Sequence, residues 1–335
     1  MGNSMNDWGM SVLSQYPVSI RATRKVRGAL LSDTKEGLYL LQEYRGTKSR
    51  LEAEAALLCY LTENGMVQVD QIVKNEAGEL LSTNEEGTSY VLKKWYPWAE
   101  CSVSSSGDLG QAVNSLARLH VYMRRMPEES KLISSVQISL AEQYEKHNRE
   151  LRRVKAYLAK KKKKSVLEQF IQKSFDECYR QAADVEKELS SSGLSAIEKQ
   201  ARQNGHLIHG AYHQHNVLIG QGQTAVVNFE QFRVDCQVHD LYQFLRKIME
   251  KHNWNKDLGK RLLYEYCRIQ NLSEQEIRLL GLMIGYPEKY WKQVNFYFNN
   301  SKSWISEKNI EKIKKAVEQT NVRTAFSNLL LEMHI

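Results

Sequence analysis

The stretch His206–Glu230, with the sequence HLIHGAYHQHNVLIGQGQTAVVNFE, is a non-helical island in a chain of 335 residues. Two short apolar runs, Asn216–Ile219 and Ala225–Phe229, flank the tetrapeptide Gly220–Gln223. Apolar runs joined by a glycine-containing turn predict a β-hairpin. A histidine-rich loop precedes the first strand, and loops held by a rigid scaffold often carry chemistry. The island is therefore predicted to form a loop and a hairpin that hold the functional site.

The rest of the chain after residue 97 is predicted to be helical. Leu109, Val113, Leu116 and Leu119 make one apolar face of a helix. Further segments with helical periodicity lie near residues 138–160, 165–190, 240–251, 256–270, 274–285 and 307–333. Residues 98–335 are therefore predicted to form a large, mainly α-helical lobe that carries the island at residues 206–230.

Residues 1–97 are predicted to form a smaller β-rich lobe with one helix. The helix is indicated by Leu51, Leu58 and Leu61 at helical spacing, and Asn64-Gly65 ends it. Strand-like residues occupy Val18–Ile20, Gly37–Tyr44, Val67–Val73 and Ser89–Lys94, separated by turn signals such as Arg27-Gly28. The predicted fold class is therefore α+β.

Composition narrows the class of protein further. Apolar residues make up 42% and charged residues 26%, which is typical of a folded soluble protein. No stretch approaches the roughly 20 apolar residues of a membrane-spanning helix, and the N-terminus lacks a basic start followed by an apolar run. The five cysteines are scattered and never form a CxxC pair, which argues against a zinc site. We expect a cytoplasmic protein with no membrane insertion.

The formal net charge of +8 raises the question of a polyanionic partner. The one dense basic run is Lys160–Lys164, at the end of a charged helical arm. We interpret it as a solvated helix end or loop. Binding of nucleic acid through this run and Arg149, Arg152 and Arg153 stays an alternative that rests on charge alone, and we do not expect nucleic acid as the partner.

Several motifs resemble the aminoglycoside phosphotransferase and choline kinase-like superfamily. His209–Asn216 matches the superfamily loop HGDxxxxN except at its aspartate, and Val226–Glu230 matches the strand that ends in D-F/L-D/E. Asn114–His120 contains the LARLH helix motif, and Val238–Leu241 contains the Asp-Leu pair that starts the next helix. Trp95–Glu100 and the lysine-rich arm look most like the bacterial CotS and CotI spore-coat branch. The resemblance implies a protein kinase-like bilobal fold with an antiparallel β lobe.

The resemblance also implies where the phosphotransferase groups should lie. The catalytic base would be the carboxylate of the loop, but Ala211 occupies its position and cannot accept a proton. Magnesium would be held by Asn216 and by a carboxylate at the position of Asn228, which is a neutral amide here. Glu230 is the one nearby carboxylate that could partly substitute. His213 or His215 as an unusual base is the alternative.

The nucleotide side of the implied site has also changed. Gln42 stands where the lysine that holds the phosphates would lie, and Glu52 and Glu54 are both candidates for the helix acid that pairs with that lysine. Lys94 and Trp95 complete the residues that the resemblance places near the nucleotide. His209 and Asp240 are expected to be structural, His209 bracing the loop and Asp240 capping the following helix.

We therefore expect a pseudokinase with a structural or assembly role in the endospore coat. It would be made in the mother-cell cytoplasm, would assemble with other spore-coat proteins, and would need no cofactor. The alternative is a residual ATP-dependent small-molecule phosphotransferase that uses Asn216, Glu230 and a loop histidine, with ATP and magnesium as its cofactors.

Overall fold

The computed structural model describes residues 7–65, 68–126, 138–299 and 307–333. Internal contacts group the chain into two compact units, one from residues 1–134 and 207–234 and the other from residues 135–206 and 235–335. This grouping adds the first long helix and the predicted island to the β-rich unit. The predicted lobe boundary at residue 97 stays a prediction, because grouping by contacts joins segments that are distant in sequence and does not test a single boundary along the chain.

The first unit contains two sheets and a short strand pair, and all its strand pairs are antiparallel except one parallel pair in the second sheet. Its largest sheet has the strand order β1-β2-β3-β7-β5, with β6 also paired to β7, and the second sheet has the order β4-β11-β10-β8. Its elements are α1 (Asp7–Leu13), β1 (Ile20–Val26), β2 (Ala29–Thr34), β3 (Leu38–Glu43), α2 (Lys48–Glu63), β4 (Gln68–Val69), β5 (Ile72–Val73), β6 (Ser82–Thr83), β7 (Ser89–Trp95), β8 (Ala99–Glu100), α3 (Ser106–Arg125), β9 (Leu207–Ile208), β10 (Val217–Gly220), β11 (Gln223–Val226) and β12 (Arg233–Val234).

The predicted turns at Arg27-Gly28 and within Gly220–Gln223 both join antiparallel strands. Gln221 and Gly222 have φ angles of 52° and 74° and connect β10 to β11, where Gly220 pairs with Gln223. Positive φ at both central residues is what a two-residue hairpin turn requires. The predicted hairpin of the island is confirmed. The turn at Arg27-Gly28 has the same geometry, but the strands it joins are longer than the sequence pattern indicated.

Helix α3 forms a support for the island. Its N-terminus is capped by Ser105, and the predicted apolar face is fully buried, with Leu109 and Leu119 at 1% and 0% exposure. The hydroxyl of Tyr212, in the island, donates a hydrogen bond of 2.7 Å to the carbonyl of Ala112 on α3. The loop of the island is therefore fixed to a helix whose own position is set by core packing.

The second unit is entirely helical in its described residues. Its helices are α4 (Leu140–Lys160), α5 (Val166–Ser191), α6 (Ser195–Gln203), α7 (Val238–Met249), α8 (Lys256–Cys267), α9 (Glu274–Gly285), α10 (Glu288–Asn299), α11 (Glu307–Glu318) and α12 (Thr320–Leu331). The basic run falls at the connection from α4 to α5, where Lys161 forms an ion pair with Glu168. No helix of the described residues is long and apolar enough to cross a membrane.

The start of α7 is held by a buried ionic cluster in the second unit. His239 lies 3.0 Å from Asp235 and 3.3 Å from Glu198, and Arg202 lies 3.6 Å from Glu198 and 3.5 Å from Asp235. Burial alone would lower the pKa of His239, but the hydrogen bonds and charges of Asp235 and Glu198 raise it to about 9. Two cations therefore balance two carboxylates within this cluster.

The raised pKa of His239 predicts a pH-dependent contribution to stability. The contribution should be complete below the unfolded pKa near 6.5 and should be lost as the pH rises through about 9, because only protonated His239 balances the two carboxylates. Urea unfolding from pH 6 to pH 9.5 measures it. The difference in unfolding free energy between the native protein and His239→Gln should shrink over this range. A difference that stays constant would contradict the assignment.

Candidate functional site

The island loop is built around His209, which is fully buried. Its Nε2 donates to the carbonyl of Val227 at 3.1 Å, and its Nδ1 accepts a hydrogen bond from the backbone N–H of Ala211 at 3.2 Å. The ring also packs on Phe229 with 4.5 Å between ring centroids. Both nitrogens of His209 are occupied by backbone partners, so it braces the loop rather than offering a proton-transfer group.

Gly210 shows why the loop tolerates so little change. Its φ is +76°, and a Cβ built on it would lie 2.0 Å from the carbonyl oxygen of Gln231. An L side chain would meet both a strained backbone and a backbone clash. The loop and the segment after β11 therefore approach each other as closely as glycine allows.

Ala211 presents a methyl group at the predicted base position, and its backbone is used for structure. Its carbonyl accepts a 2.9 Å hydrogen bond from the side-chain amide of Asn216. His213 accepts a hydrogen bond from the backbone N–H of His215 and so caps the short 3-10 turn at residues 214–216. His215 is paired with Glu100 at 2.6 Å. Neither histidine is placed by these contacts as a replacement for the missing carboxylate.

The two predicted metal ligands of the island bind each other. The side-chain amide of Asn228 donates to Oδ1 of Asn216 at 2.9 Å, and the backbone N–H of Asn228 donates to Asp70 at 3.0 Å. Asn228 has φ +67° and ψ +63°, a left-handed conformation that asparagine adopts more readily than most residues. The amide oxygen that magnesium would need from Asn216 is thus already accepting a hydrogen bond.

A buried lysine that the sequence analysis did not select lies at the centre of the site. The Nζ of Lys93 donates to Glu54 at 2.8 Å and lies 3.4 Å from Asp70 and 3.7 Å from Glu230. Lys93, Glu54 and Asp70 are all completely buried, whereas the Glu230 side chain is 37% exposed. We call these four residues the Lys93 cluster. It joins β7, α2, the residue after β4 and the segment after β11.

The charges of the Lys93 cluster do not balance. Burial of Lys93 opposes its charge, but Asp70, Glu54 and Glu230 together raise its pKa, so the ammonium is held protonated. Burial raises the pKa of Asp70 to about 6, an effect that Lys93 opposes and Glu54 reinforces. Among the described residues, Oε2 of Glu54 and Oδ1 of Asp70 have no hydrogen-bond donor. One ammonium therefore serves three carboxylates, and the site keeps excess negative charge.

Gln42 lies beside this cluster, on the strand where the resemblance placed the lysine. Its side-chain amide donates to the carboxylate of Glu230. In the antiparallel register Gln42 pairs with Val91 and Leu40 pairs with Lys93, so Gln42 and Lys93 project from the same face of the sheet. The cation of the site therefore lies on β7, one strand away from the position on β3 that the resemblance implied. Its hydrogen-bond partner is Glu54.

Lys94 and Trp95 do not join the cluster. Lys94 follows Lys93 on β7, so its side chain points to the opposite face, where it is exposed. Trp95 packs against the apolar cluster formed by Leu218, Ala225 and Val227. Asp240 belongs to the second unit, where it is fully buried in the first turn of α7, and the N-cap of that helix is Gln237.

Two arginines hold the edges of the site. Arg50 on α2 donates to the backbone carbonyl of Glu230 at 2.8 Å and also to that of Phe232. Arg27, at the tip of the β1–β2 turn, forms a 2.8 Å ion pair with Glu100 and lies 3.2 Å from His215. The tip of this turn is therefore tied to the island loop.

The residues present do not fit a nucleotide–magnesium complex. Magnesium favours anionic oxygen ligands, but Asn216 and Asn228 are neutral and hydrogen-bonded to each other. The carboxylates of Asp70 and Glu230 already face the ammonium of Lys93, so a metal ion would have to compete with that ammonium for them. The excess negative charge of the cluster would in turn repel the phosphates.

Comparison with known protein families decides the relationship. Residues 10–329 match the family described as "Spore coat putative kinase YutH". The chain belongs to this family. The predicted relationship to kinase-like spore-coat proteins is confirmed. Among proteins with a curated function, none matches the sequence significantly.

Solved structures of related shape show the fold of this YutH-family protein. An aminoglycoside phosphotransferase from Alicyclobacillus acidocaldarius has a TM-score of 0.85 at 17% identity, covering 96% of this chain and 94% of the other. A spectinomycin phosphotransferase with ADP and spectinomycin has a TM-score of 0.66 at 14% identity, covering 94% and 96%. An amicoumacin kinase with AMP-PNP has a TM-score of 0.61 at 12% identity, covering 96% and 94%. At these identities the likeness shows the fold alone, and the predicted kinase-like α+β class is confirmed.

Replacement of Lys93 tests the role of the buried ammonium. Lys93→Met should lower the free energy of unfolding by about 3 to 5 kcal/mol, because it leaves Glu54 and Asp70 buried without a cation. Lys94→Met is the matched control on the same strand, and being exposed it should change stability by no more than about 0.5 kcal/mol. Urea unfolding at pH 7 measures both. Equal effects of the two substitutions would contradict the central role of Lys93.

Proposed function

We propose that this protein is a pseudokinase with a structural or assembly role in the endospore coat. The observation that carries the proposal is the buried ammonium of Lys93. It faces the carboxylates of Glu54, Asp70 and Glu230 instead of a ligand. In an active relative the equivalent cation would meet nucleotide phosphates. Here Lys93 is completely buried and cannot reach a ligand without leaving Glu54 and Asp70 unpaired.

The loss of the other catalytic groups supports the same conclusion. Ala211 offers no proton acceptor, and removal of a general base alone costs roughly 10² to 10⁴ in rate. The side chain of Asn228 is neutral and lacks the negative charge that would anchor a metal ion. Its amide donates a hydrogen bond to Asn216. Base, metal anchor and phosphate clamp lie on three separate segments, so one local change does not account for their loss.

Membership of a spore-coat family supports the proposed setting. A protein made in the mother-cell cytoplasm and assembled into the coat would meet other coat proteins as its partners. In this setting the kinase-like fold contributes shape and surface, and the Lys93 cluster contributes stability. Neither contribution requires turnover of a nucleotide.

A nucleotide melting screen tests the proposed loss of chemistry. Because a ligand that binds only the folded protein raises its melting temperature, the absence of binding predicts a flat response. The melting temperature should not change with millimolar ATP, with or without magnesium. The reverting triple variant Ala211→Asp, Asn228→Asp, Gln42→Lys restores the groups of active relatives and serves as the comparison. A magnesium-dependent rise in the native protein would contradict the proposal.

Coat assembly in spores tests the structural role separately. The variants Asn216→Ala and Glu230→Gln remove the groups that residual catalysis would need. Each should localise to the coat, as a fluorescent fusion, as well as the native protein does, provided that its melting temperature is unchanged. Lys93→Met, which should unfold more readily, is expected to assemble poorly. Failure of the two stable site variants to assemble would indicate that catalysis matters.

A residual small-molecule phosphotransferase is the second candidate. The Lys93–Glu54 pair favours it, because it re-creates the lysine–glutamate pair of active relatives from a neighbouring strand. Asp70 and Glu230 add carboxylates close to Asn216. Magnesium-dependent ATP turnover that is lost on Asn216→Ala would establish this candidate and overturn the first.

A further inference from the structure

A polar groove lies in the first unit, apart from the Lys93 cluster. It has a volume of about 760 Å³. Its walls come from the end of α2, β4, the end of β7, the middle of α3 and the β10–β11 turn. The residues that line it are Thr62, Gly65, Gln68, Val69, Gln71, Lys94, Tyr96, Gln111, Asn114, Ser115, Arg118, Gly222, Gln223 and Thr224. We call it the amide-lined groove.

The charged side chains that line this groove, among the described residues, are both positive. Lys94 on β7 and Arg118 on α3 are its charged residues, and no carboxylate lines it. Both side chains are exposed, and neither has an ion-pair partner in the described part of the chain. In a protein whose described surface pairs many of its arginines and lysines, two unpaired cations in one concave site favour an anionic ligand.

Amide side chains supply the rest of the recognition. Gln68 donates to Gln223 at 2.8 Å and Gln71 donates to Thr62 at 2.9 Å, which fixes two walls of the groove. Oε1 of Gln111 is buried and accepts no hydrogen bond from the described residues. A buried acceptor without a donor costs about 1 to 3 kcal/mol, so a ligand N–H at this point would be favoured.

We propose that the amide-lined groove binds an acidic peptide segment of a partner protein. Glutamine and asparagine side chains both donate and accept hydrogen bonds, as peptide groups do, and the unpaired oxygen of Gln111 calls for the N–H that a peptide carries. Lys94 and Arg118 stand on different elements and so suit carboxylates spaced along a chain. The proposal does not depend on loss of catalysis, because no residue of the Lys93 cluster lines the groove.

Binding of a fluorescent acetylated hexaglutamate peptide, measured by anisotropy at fixed salt, tests the proposal. The double variant Lys94→Gln, Arg118→Gln should weaken binding about tenfold or more, since it removes both positive charges that face the peptide carboxylates. The double variant Arg21→Gln, Lys74→Gln removes the same charge from exposed positions outside the groove and is the matched control. Binding equal in both double variants, or none by the native protein, would overturn the proposal.

Two further measurements identify what the groove recognises. Gln111→Leu keeps the charge and removes the unpaired oxygen, so it should weaken the peptide several-fold if peptide N–H groups are bound. Inorganic phosphate should compete only weakly with the peptide. Displacement of the peptide by millimolar phosphate, together with an unchanged affinity of Gln111→Leu, would mean a simple anion site and would refute the peptide assignment. Unaltered melting temperatures exclude loss of folding as the cause.

Discussion

The first unit depends on the charge interaction between Lys93 and the carboxylates around it. Glu54 comes from α2, Asp70 from the residue after β4 and Glu230 from the segment after β11, so one ammonium joins three segments distant in sequence. Two of these acids are fully buried, and a buried carboxylate without a cation is strongly destabilising. The position of α2 against the sheet therefore depends on the charge of Lys93.

This arrangement changes what the neighbouring residues can do. With the ammonium of Lys93 already beside Asp70 and Glu230, a divalent metal ion would have to compete for these carboxylates, and the neutral amides of Asn216 and Asn228 bind each other. Gln42 donates to Glu230, the partly exposed carboxylate of the cluster. The contacts of Gln42, Asn216 and Asn228 are therefore mutually consistent, whereas Oε2 of Glu54 and Oδ1 of Asp70 accept no hydrogen bond from the described residues.

The sequence predicted the features that depend on local pattern. The island hairpin followed from its turn residues, and the buried face of α3 followed from helical spacing. It did not predict Lys93, because which strand supplies the cation depends on the pairing of β3 with β7, a contact across about fifty residues. Side chains alternate between the two faces of a strand, so Lys93 and Lys94 must face opposite ways. This alternation could have indicated that one of the two lysines faces the site. The short helix α6 was missed because its nine residues carry little periodicity.

The island also explains why a motif can persist in form while its chemistry is absent. His209, Gly210 and Tyr212 make their contacts inside the protein: two backbone hydrogen bonds, a close backbone approach and a bond to α3. The positions that differ from active relatives, Ala211 and Asn228, are those whose partners would be a substrate or a metal ion. Folding constrains the first group whether or not a ligand binds, whereas only catalysis constrains the second.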